Sequence, residues 1–336
     1  MRELAYVRAT SPDEAVAAVA GDPQARFLGG GTNLVDHLKL GIATPGTLVD
    51  VSRLALAEVE GTADGLRVGA GVRNSDLAAH PVVRRDFPVL ARSLLAGASG
   101  QIRNQATTAG NLLQRTRCVY FQDASTPCNK REPGSGCSAV GGHDRYNAVL
   151  GASEACVTVH PSDLAVGLAV LDAEVVVLGP DGERRLPYDE LHRLPGHHPE
   201  HDTTLAHGEL VTAVELRRSP VARRSTYEKV RERASYAFAL VSVAAGLELA
   251  DDGTVSDVRV AWGGVAHKPW RARVVEDALR GEPLEEERVR DVVAEELRDA
   301  TTTTGTAGKP AMLAGVTARA LTRLAAPGPQ VEEAGR

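Results

Sequence analysis

Aromatic side chains make up only 4% of this 336-residue chain, and positive charge is not in excess: 38 basic against 44 acidic residues leave a net charge of −6. Both shortages argue against nucleic acid as a partner, because duplexes call for a basic face and single strands for stacking aromatics. No apolar run approaches the ~20 residues needed to cross a bilayer. Ala15 to Ala20 is short and ends at Gly21-Asp22-Pro23, so membrane insertion is not expected. The amino terminus, Met1 to Tyr6 followed by Asp13 and Glu14, lacks the basic-then-apolar layout of a secretory signal. The expected location is the cytoplasm, or the periplasm if a partner carries the folded chain out.

Cysteine is also sparse, and what there is falls in one window: Cys118, Cys128, Cys137 and Cys156, with nine, eight and eighteen residues between them. These spacings match neither the C-x-x-C knuckles of zinc ribbons nor the close runs of small ferredoxins. Clustering nevertheless suggests a metal centre, since core cysteines are scattered wherever a compact apolar group is needed. The alternatives are two disulfides or four unrelated thiols. Disulfide frameworks belong mainly to small secreted domains, whereas 43% hydrophobic residues over this length build a real core. That length predicts two domains, with the first divided further.

The pattern at the start reads as a strand near Leu4–Arg8, a helix over 11–20 and a strand through Arg26-Phe27-Leu28 that runs into Gly29-Gly30-Gly31-Thr32-Asn33. Leu34, Val35, Leu38 and Leu40 then follow helical spacing. Three glycines between a strand end and a helix start let backbone N–H groups approach an anion, and Thr32 or Asn33 is placed to cap the helix or contact phosphate. The stretch is neither G-x-G-x-x-G nor a Walker sequence; an ordinary glycine-rich turn is the plain alternative.

Strands are expected at 49–51 and 66–72, a short helix at 75–79 and one longer helix over 82–96. Residues 97–112, rich in glycine, hydroxyl and amide groups, have almost no apolar periodicity and read as ligand-lining. The cysteine segment has too many breakers for regular structure. A strand over 157–159, a helix over 163–171 and a strand over 173–178 follow. The main boundary is expected at Arg217-Arg218-Ser219-Pro220. Strand candidates 227–230, 238–249 and 255–262 and helices 271–279, 288–297 and 309–324 complete the chain, with a disordered tail from Ala326. His197-His198-Pro199-Glu200-His201 reads as a solvated loop rather than a metal site, and His143, His160 and His267 as structural contacts.

Taken together, Leu28 to Leu34, Ile102 to Leu112, His160-Pro161-Ser162-Asp163-Leu164, Gly208 to Thr212, Tyr227-Glu228-Lys229-Val230 and Gly263 to Arg271 resemble the flavin subunit of the molybdenum hydroxylases, the xanthine dehydrogenase and aldehyde oxidoreductase family. The resemblance covers nearly the whole chain. It implies an α+β fold: a vanillyl-alcohol-oxidase (PCMH) type FAD-binding domain over 1–219, with subdomains of about 1–55 and 56–219 and a cysteine loop over 115–157. A small α+β domain of the CO dehydrogenase flavoprotein C-terminal type over 220–325 and the tail 326–336 would follow.

The resemblance further implies that Leu28, Gly29, Gly30, Gly31, Thr32, Asn33 and Leu34 wrap the FAD pyrophosphate, with Thr107, Thr108, Gly110 and Asn111 as a second phosphate and ribityl contact. Asp163 would accept from a hydroxyl, Leu210 would touch the ring system, and Lys229 would sit near the flavin. Cys118, Cys128, Cys137 and Cys156 would be the metal ligands, holding the extra [4Fe-4S] cluster found in some flavin subunits. Asn147 stands where histidine is expected in many relatives. The implied role is electron transfer from iron-sulfur centres to an external acceptor, with no substrate-side catalytic residue in this chain. The partners would be a large molybdenum-cofactor subunit that oxidises an aldehyde or aromatic heterocycle and a small [2Fe-2S] subunit, in a heterotrimer or a dimer of heterotrimers. Two other readings stand beside it: a free-standing FAD-dependent oxidoreductase of the same fold, and a metal-binding redox module without flavin.

Overall fold

A computed structural model describes residues 3–326. The expected disordered tail lies, beyond Ala326, outside the described residues. Three sheets follow one another along the chain. The first is parallel, in the order β1-β3-β2, built from β1 (Ala5–Arg8), β2 (Ala25–Leu28) and β3 (Thr47–Asp50). Helices α1 (Pro12–Ala20) and α2 (Leu34–Leu40) make its crossovers. Ser11 starts α1 by accepting the Glu14 N–H, and Pro12 occupies the first turn, where its missing N–H costs nothing.

The second sheet is antiparallel, in the order β4-β5-β8-β6-β7, from β4 (Val59–Gly61), β5 (Gly65–Gly69), β6 (Glu174–Gly179), β7 (Gly182–Pro187) and β8 (Leu210–Arg217). Between β5 and β6 lie α3 (Asn74–Ala79), α4 (Pro81–Asp86), α5 (Pro88–Ala96), α6 (Gly100–Gln105), α7 (Thr108–Leu112), α8 (Val119–Gln122) and α9 (Asp163–Ala169), with α10 (Tyr188–Leu191) after β7. The helix expected over 82–96 is two, broken at Phe87 (φ −140°, ψ 53°), because the residue before Pro88 is driven out of helical space. The segment 97–112, expected to line a ligand, folds as the two short helices α6 and α7, capped by Ser99 and Thr107. Residues 157–159 form no strand; their backbone serves the cysteine loop instead, Ala148 N–H donating to Val157 O at 2.7 Å.

After α11 (Pro220–Arg223), the third sheet runs β12-β11-β10-β9, from β9 (Ser225–Val230), β10 (Val241–Leu249), β11 (Val255–Gly263) and β12 (Trp270–Arg271), covered by α12 (Arg273–Leu279), α13 (Glu286–Glu296) and α14 (Lys309–Ala325). The strand expected from Phe238 begins at Val241, and Phe238 is exposed. Trp262, Val258, Val260 and Leu313 fill the core of this unit, while Phe87, Leu90, Leu164, Leu168 and Val175 fill that of the middle one. Burying such side chains contributes roughly 1.5–3 kcal/mol each, which makes these clusters the main source of cohesion.

One buried cation joins the cysteine loop to the last helix. Lys309 at the start of α14 is 2% exposed and donates to Asn147 O at 2.7 Å and Gly264 O at 2.6 Å, with no carboxylate among these partners. Burial pulls its pKa down from 10.5 to about 8. Above pH 8 the folded chain sheds a proton that the unfolded chain retains, so unfolding free energy rises with pH until about 10.5. In urea titrations, wild type is expected to gain on the order of 3 kcal/mol over Lys309→Met across this window. Parallel pH profiles would show that Lys309 keeps its ordinary affinity for protons.

Candidate functional site

The glycine loop leaves β2 and enters α2, as its strand-then-helix setting requires. Gly31 has φ +76°, a conformation that favours glycine. At Gly30 the need is space: a Cβ there would lie 2.2 Å from Gln105 O and 3.1 Å from Gln105 C. The loop is therefore pressed backbone to backbone against the turn between α6 and α7, and Gln105 Nε2 ties them by donating to Gly30 O at 3.2 Å. Among the described residues, the N–H groups of Gly30, Gly31, Thr32 and Asn33 make no hydrogen bond. Four free N–H donors in one half-buried turn form a nest for an anion, and a pyrophosphate supplies the matching acceptors.

The second segment meets the first at Thr107. Its Oγ1 accepts the Gly110 N–H at 3.2 Å, caps α7, and would lie 3.2 Å from a Cβ on Gly29. Thr108 is buried and donates to Val72 O at 3.1 Å, so its side chain holds the turn in place. Asn111 Oδ1 accepts from Ser162 Oγ at 2.6 Å and from Gln114 Nε2 at 2.8 Å. Ser162 caps α9, whose first residue is Asp163. Asp163 receives Lys229 Nζ at 2.7 Å and the Tyr227 hydroxyl, both from β9. Residues 107–111, 163 and 229 thus form one polar line from the glycine loop to the third sheet. Lys229 and Asp163 are 4% and 10% exposed, so each is bound to the other rather than offered to solvent. Leu28 and Leu34 flank the glycine loop as the last residue of β2 and the first of α2. Leu210, the first residue of β8, is buried in the same apolar cluster as Val16, Val19 and Ala25.

All four cysteines are free, with no disulfide among them. They line one small pocket together with Phe121, Pro127, Lys130, Ala139 and Thr158. Cys128 and Cys137 oppose each other on antiparallel arms closed by Gly134 and Gly136 (φ +86° and +99°), with Asn129 N–H donating to Gly136 O at 2.7 Å. Burial raises the pKa of Cys118, partly offset by the N–H groups of Phe121 and Tyr120. Burial likewise pushes Cys156 up to about 12, against an N–H bond from Thr158. Without a bound cation both would stay protonated, whereas metal ligation deprotonates a thiol outright. Among the described residues no three Cys, His, Asp or Glu side chains converge tightly enough to hold one metal ion.

Several residues of this region carry no sequence signal. Arg115 N–H donates to Asn33 Oδ1 at 3.0 Å, and its Nε donates to Asp202 at 2.6 Å, linking the glycine loop to the cysteine segment. Burial opposes ionisation of Asp202, but Arg115 and Lys130 outweigh it and hold the carboxyl well below its usual range. His192, not singled out by its sequence context, donates from Nε2 to Leu112 O (2.9 Å) beside His160, ring centroids 4.4 Å apart. His267 is buried with both ring nitrogens unpartnered. His198 meets Glu200 at 3.1 Å and is exposed, in keeping with a solvated loop. Asn147 Nδ2 donates to Ala139 O at 3.4 Å within the cysteine loop.

This arrangement has known counterparts. The family model for the FAD-binding domain in molybdopterin dehydrogenase matches residues 2–218, and that for the CO dehydrogenase flavoprotein C-terminal domain matches residues 225–325. The chain belongs to the FAD-binding subunits of the molybdenum hydroxylases of aldehyde oxidoreductase and xanthine dehydrogenase type, and is thus an oxidoreductase subunit that binds FAD. It is 54% identical over 281 residues to the aldehyde oxidoreductase FAD-binding subunit PaoB of Escherichia coli K12, covering 83% of this chain and 86% of that one. It is 28% identical to the glyceraldehyde dehydrogenase medium chain of Sulfolobus acidocaldarius, over 87% of this chain and 86% of the other. The fold is that of the carbon monoxide dehydrogenase of Hydrogenophaga pseudoflava, with a TM-score of 0.74 at 22% identity over 96% of each chain. Quinoline 2-oxidoreductase from Pseudomonas putida 86 gives 0.73 at 22% identity, over 96% of this chain and 97% of that one. The α+β fold implied by the sequence resemblance is thus the fold found. Among the described residues no helix is long and apolar enough to cross a membrane.

Proposed function

We propose that this chain is the electron relay of a multi-subunit aldehyde oxidoreductase. Its partners would be a large subunit that carries the molybdenum cofactor and oxidises the aldehyde, and a small [2Fe-2S] subunit. An assembly of this kind is supported by the subunit character of its relatives, and the aldehyde by the 54% identity to an aldehyde oxidoreductase subunit. The observation that carries the flavin's placement is the nest of four unpartnered N–H groups at Gly30–Asn33, pressed against the 105–107 turn. In this reading residues 1–219 hold FAD. Leu28 to Leu34 wrap the pyrophosphate, and Thr107, Thr108, Gly110 and Asn111 support the second phosphate and the ribityl chain. Residues 220–325 supply Lys229 and Tyr227 across the domain boundary. FAD, when bound, accepts electrons singly and releases them singly or in pairs.

The chain's own side chains bind, orient and shield. Asp163 fixes Lys229 and Tyr227, and Leu210 contributes an apolar wall. A [4Fe-4S] cluster is the second centre of the proposal, on Cys118, Cys128, Cys137 and Cys156. The fit is supported by four thiols lining one pocket and by N–H groups directed at two of the sulfurs.

The test is to purify the chain alone and within its complex. The isolated chain is expected to carry FAD and to leave aldehydes untouched, with oxidation present only in the complex. Aldehyde turnover by the isolated chain would favour a free-standing flavoenzyme, and a product without a flavin band would favour a metal module without flavin.

A further inference from the structure

A cation shares the void with the four thiols. Lys130 lies between Cys128 and Cys137 in sequence, lines the same space, and has a side chain only 1% exposed. Lysine is almost never this buried without a partner. Its ammonium donates to Pro199 O at 2.6 Å and to Asp202 Oδ1 at 2.5 Å. Asp202 is shared with Arg115, so two positive charges meet the one carboxylate that touches them. Neighbouring imidazoles add no charge at neutral pH, because burial depresses His192 to about 4 and His267 to about 3 and lowers His160 as well. A tether between the cysteine loop and residues 199–202 does not need this lysine, since Arg115 already reaches Asp202 and, at 3.1 Å, Glu200 O.

We propose that Lys130 is a positioning residue that sets the reduction potential of the cluster on Cys118, Cys128, Cys137 and Cys156, with Asp202 as its counterweight. This rests on the cluster reading above. Reduction adds one electron from an external reductant or a reduced partner centre; it makes and breaks no bond and lowers the charge of the core by one. A buried positive charge favours the more negative, reduced form, and desolvation leaves the interaction weakly screened. The potential is therefore held up by Lys130 and trimmed by Asp202.

The test is an EPR-monitored potentiometric titration of the purified complex, following the signal that Cys128→Ser abolishes. Lys130→Met is expected to lower the reduced-to-oxidised ratio at the wild-type midpoint at least tenfold, a shift of about 59 mV for a one-electron couple. Lys130→Arg should return close to wild type, and Asp202→Asn should move the midpoint the other way. A Lys130→Met complex that keeps its iron and titrates as wild type does would overturn the proposal, as would shifts of the same sign in the Met and Asn variants. If Lys130→Met loses its iron, Asp202→Asn decides: an upward shift supports the proposal and an unmoved midpoint overturns it. A wild-type complex without any such signal fails differently, by removing the cluster itself.

Discussion

Replacing Gly30 by alanine is expected to give a chain that retains no more than roughly a tenth of the wild-type flavin. The new methyl would lie 2.2 Å from the Gln105 carbonyl oxygen, with Gln105 C and Ala106 Cα at 3.1 and 3.2 Å. All three are backbone atoms, so relief must come from parting the glycine loop and the 105–107 turn. Overpacking of this kind costs about 1–3 kcal/mol, and each 1.4 kcal/mol taken from binding is a tenfold loss of affinity. Gly100→Ala is the control. It lies in α6, meets nothing within 4 Å, and replaces a poor helix former with the best one. Flavin absorbance per chain should fall in the first variant and hold in the second. Equal flavin in Gly30→Ala and wild type would mean that the pyrophosphate lies elsewhere.

The second large effect is on iron. Cys128→Ser should remove about one cluster's iron, on the order of four atoms per chain, because the cubane needs all four thiolates. Cys128 belongs to the arm that faces Cys137, whereas the phosphate nest belongs to the β2–α2 turn. The cysteine segment reaches that turn through the Arg115 backbone N–H on Asn33, and the helix beyond it through Arg117 beside Asp36 and Phe121 against His37. Flavin should therefore be largely retained while iron is lost. Iron content unchanged by the substitution would refute the four-thiolate assignment.

What was legible in the sequence was local. A strand end, three glycines and a helix start define the nest within eight residues, and Ser11 marks a helix start by capping chemistry, whereas Ser99 caps a helix that the lack of apolar periodicity hid. The break at Phe87 was also legible through Pro88, although the apolar periodicity of 82–96 overrode it. The four cysteines announced themselves by clustering, but not the cation beside them. Lys130 and Asp202 are 72 positions apart, and Asp163 and Lys229 are 66 apart; only the packing of the three sheets makes them neighbours. For the same reason Lys229 reads as a free cation in sequence and is a buried ion pair in the fold. Such a pair is weak support for stability in itself, but removing either partner would strand the other.

In the proposed assembly, reducing equivalents from a partner subunit pass through the flavin of this chain. The most direct measurement is the visible spectrum of the assembled complex after aldehyde is added without air. The flavin band of the wild-type complex is expected to bleach, and the Gly30→Ala complex to show no more than roughly a tenth of that band. A wild-type flavin that stays oxidised while aldehyde is consumed would contradict this route.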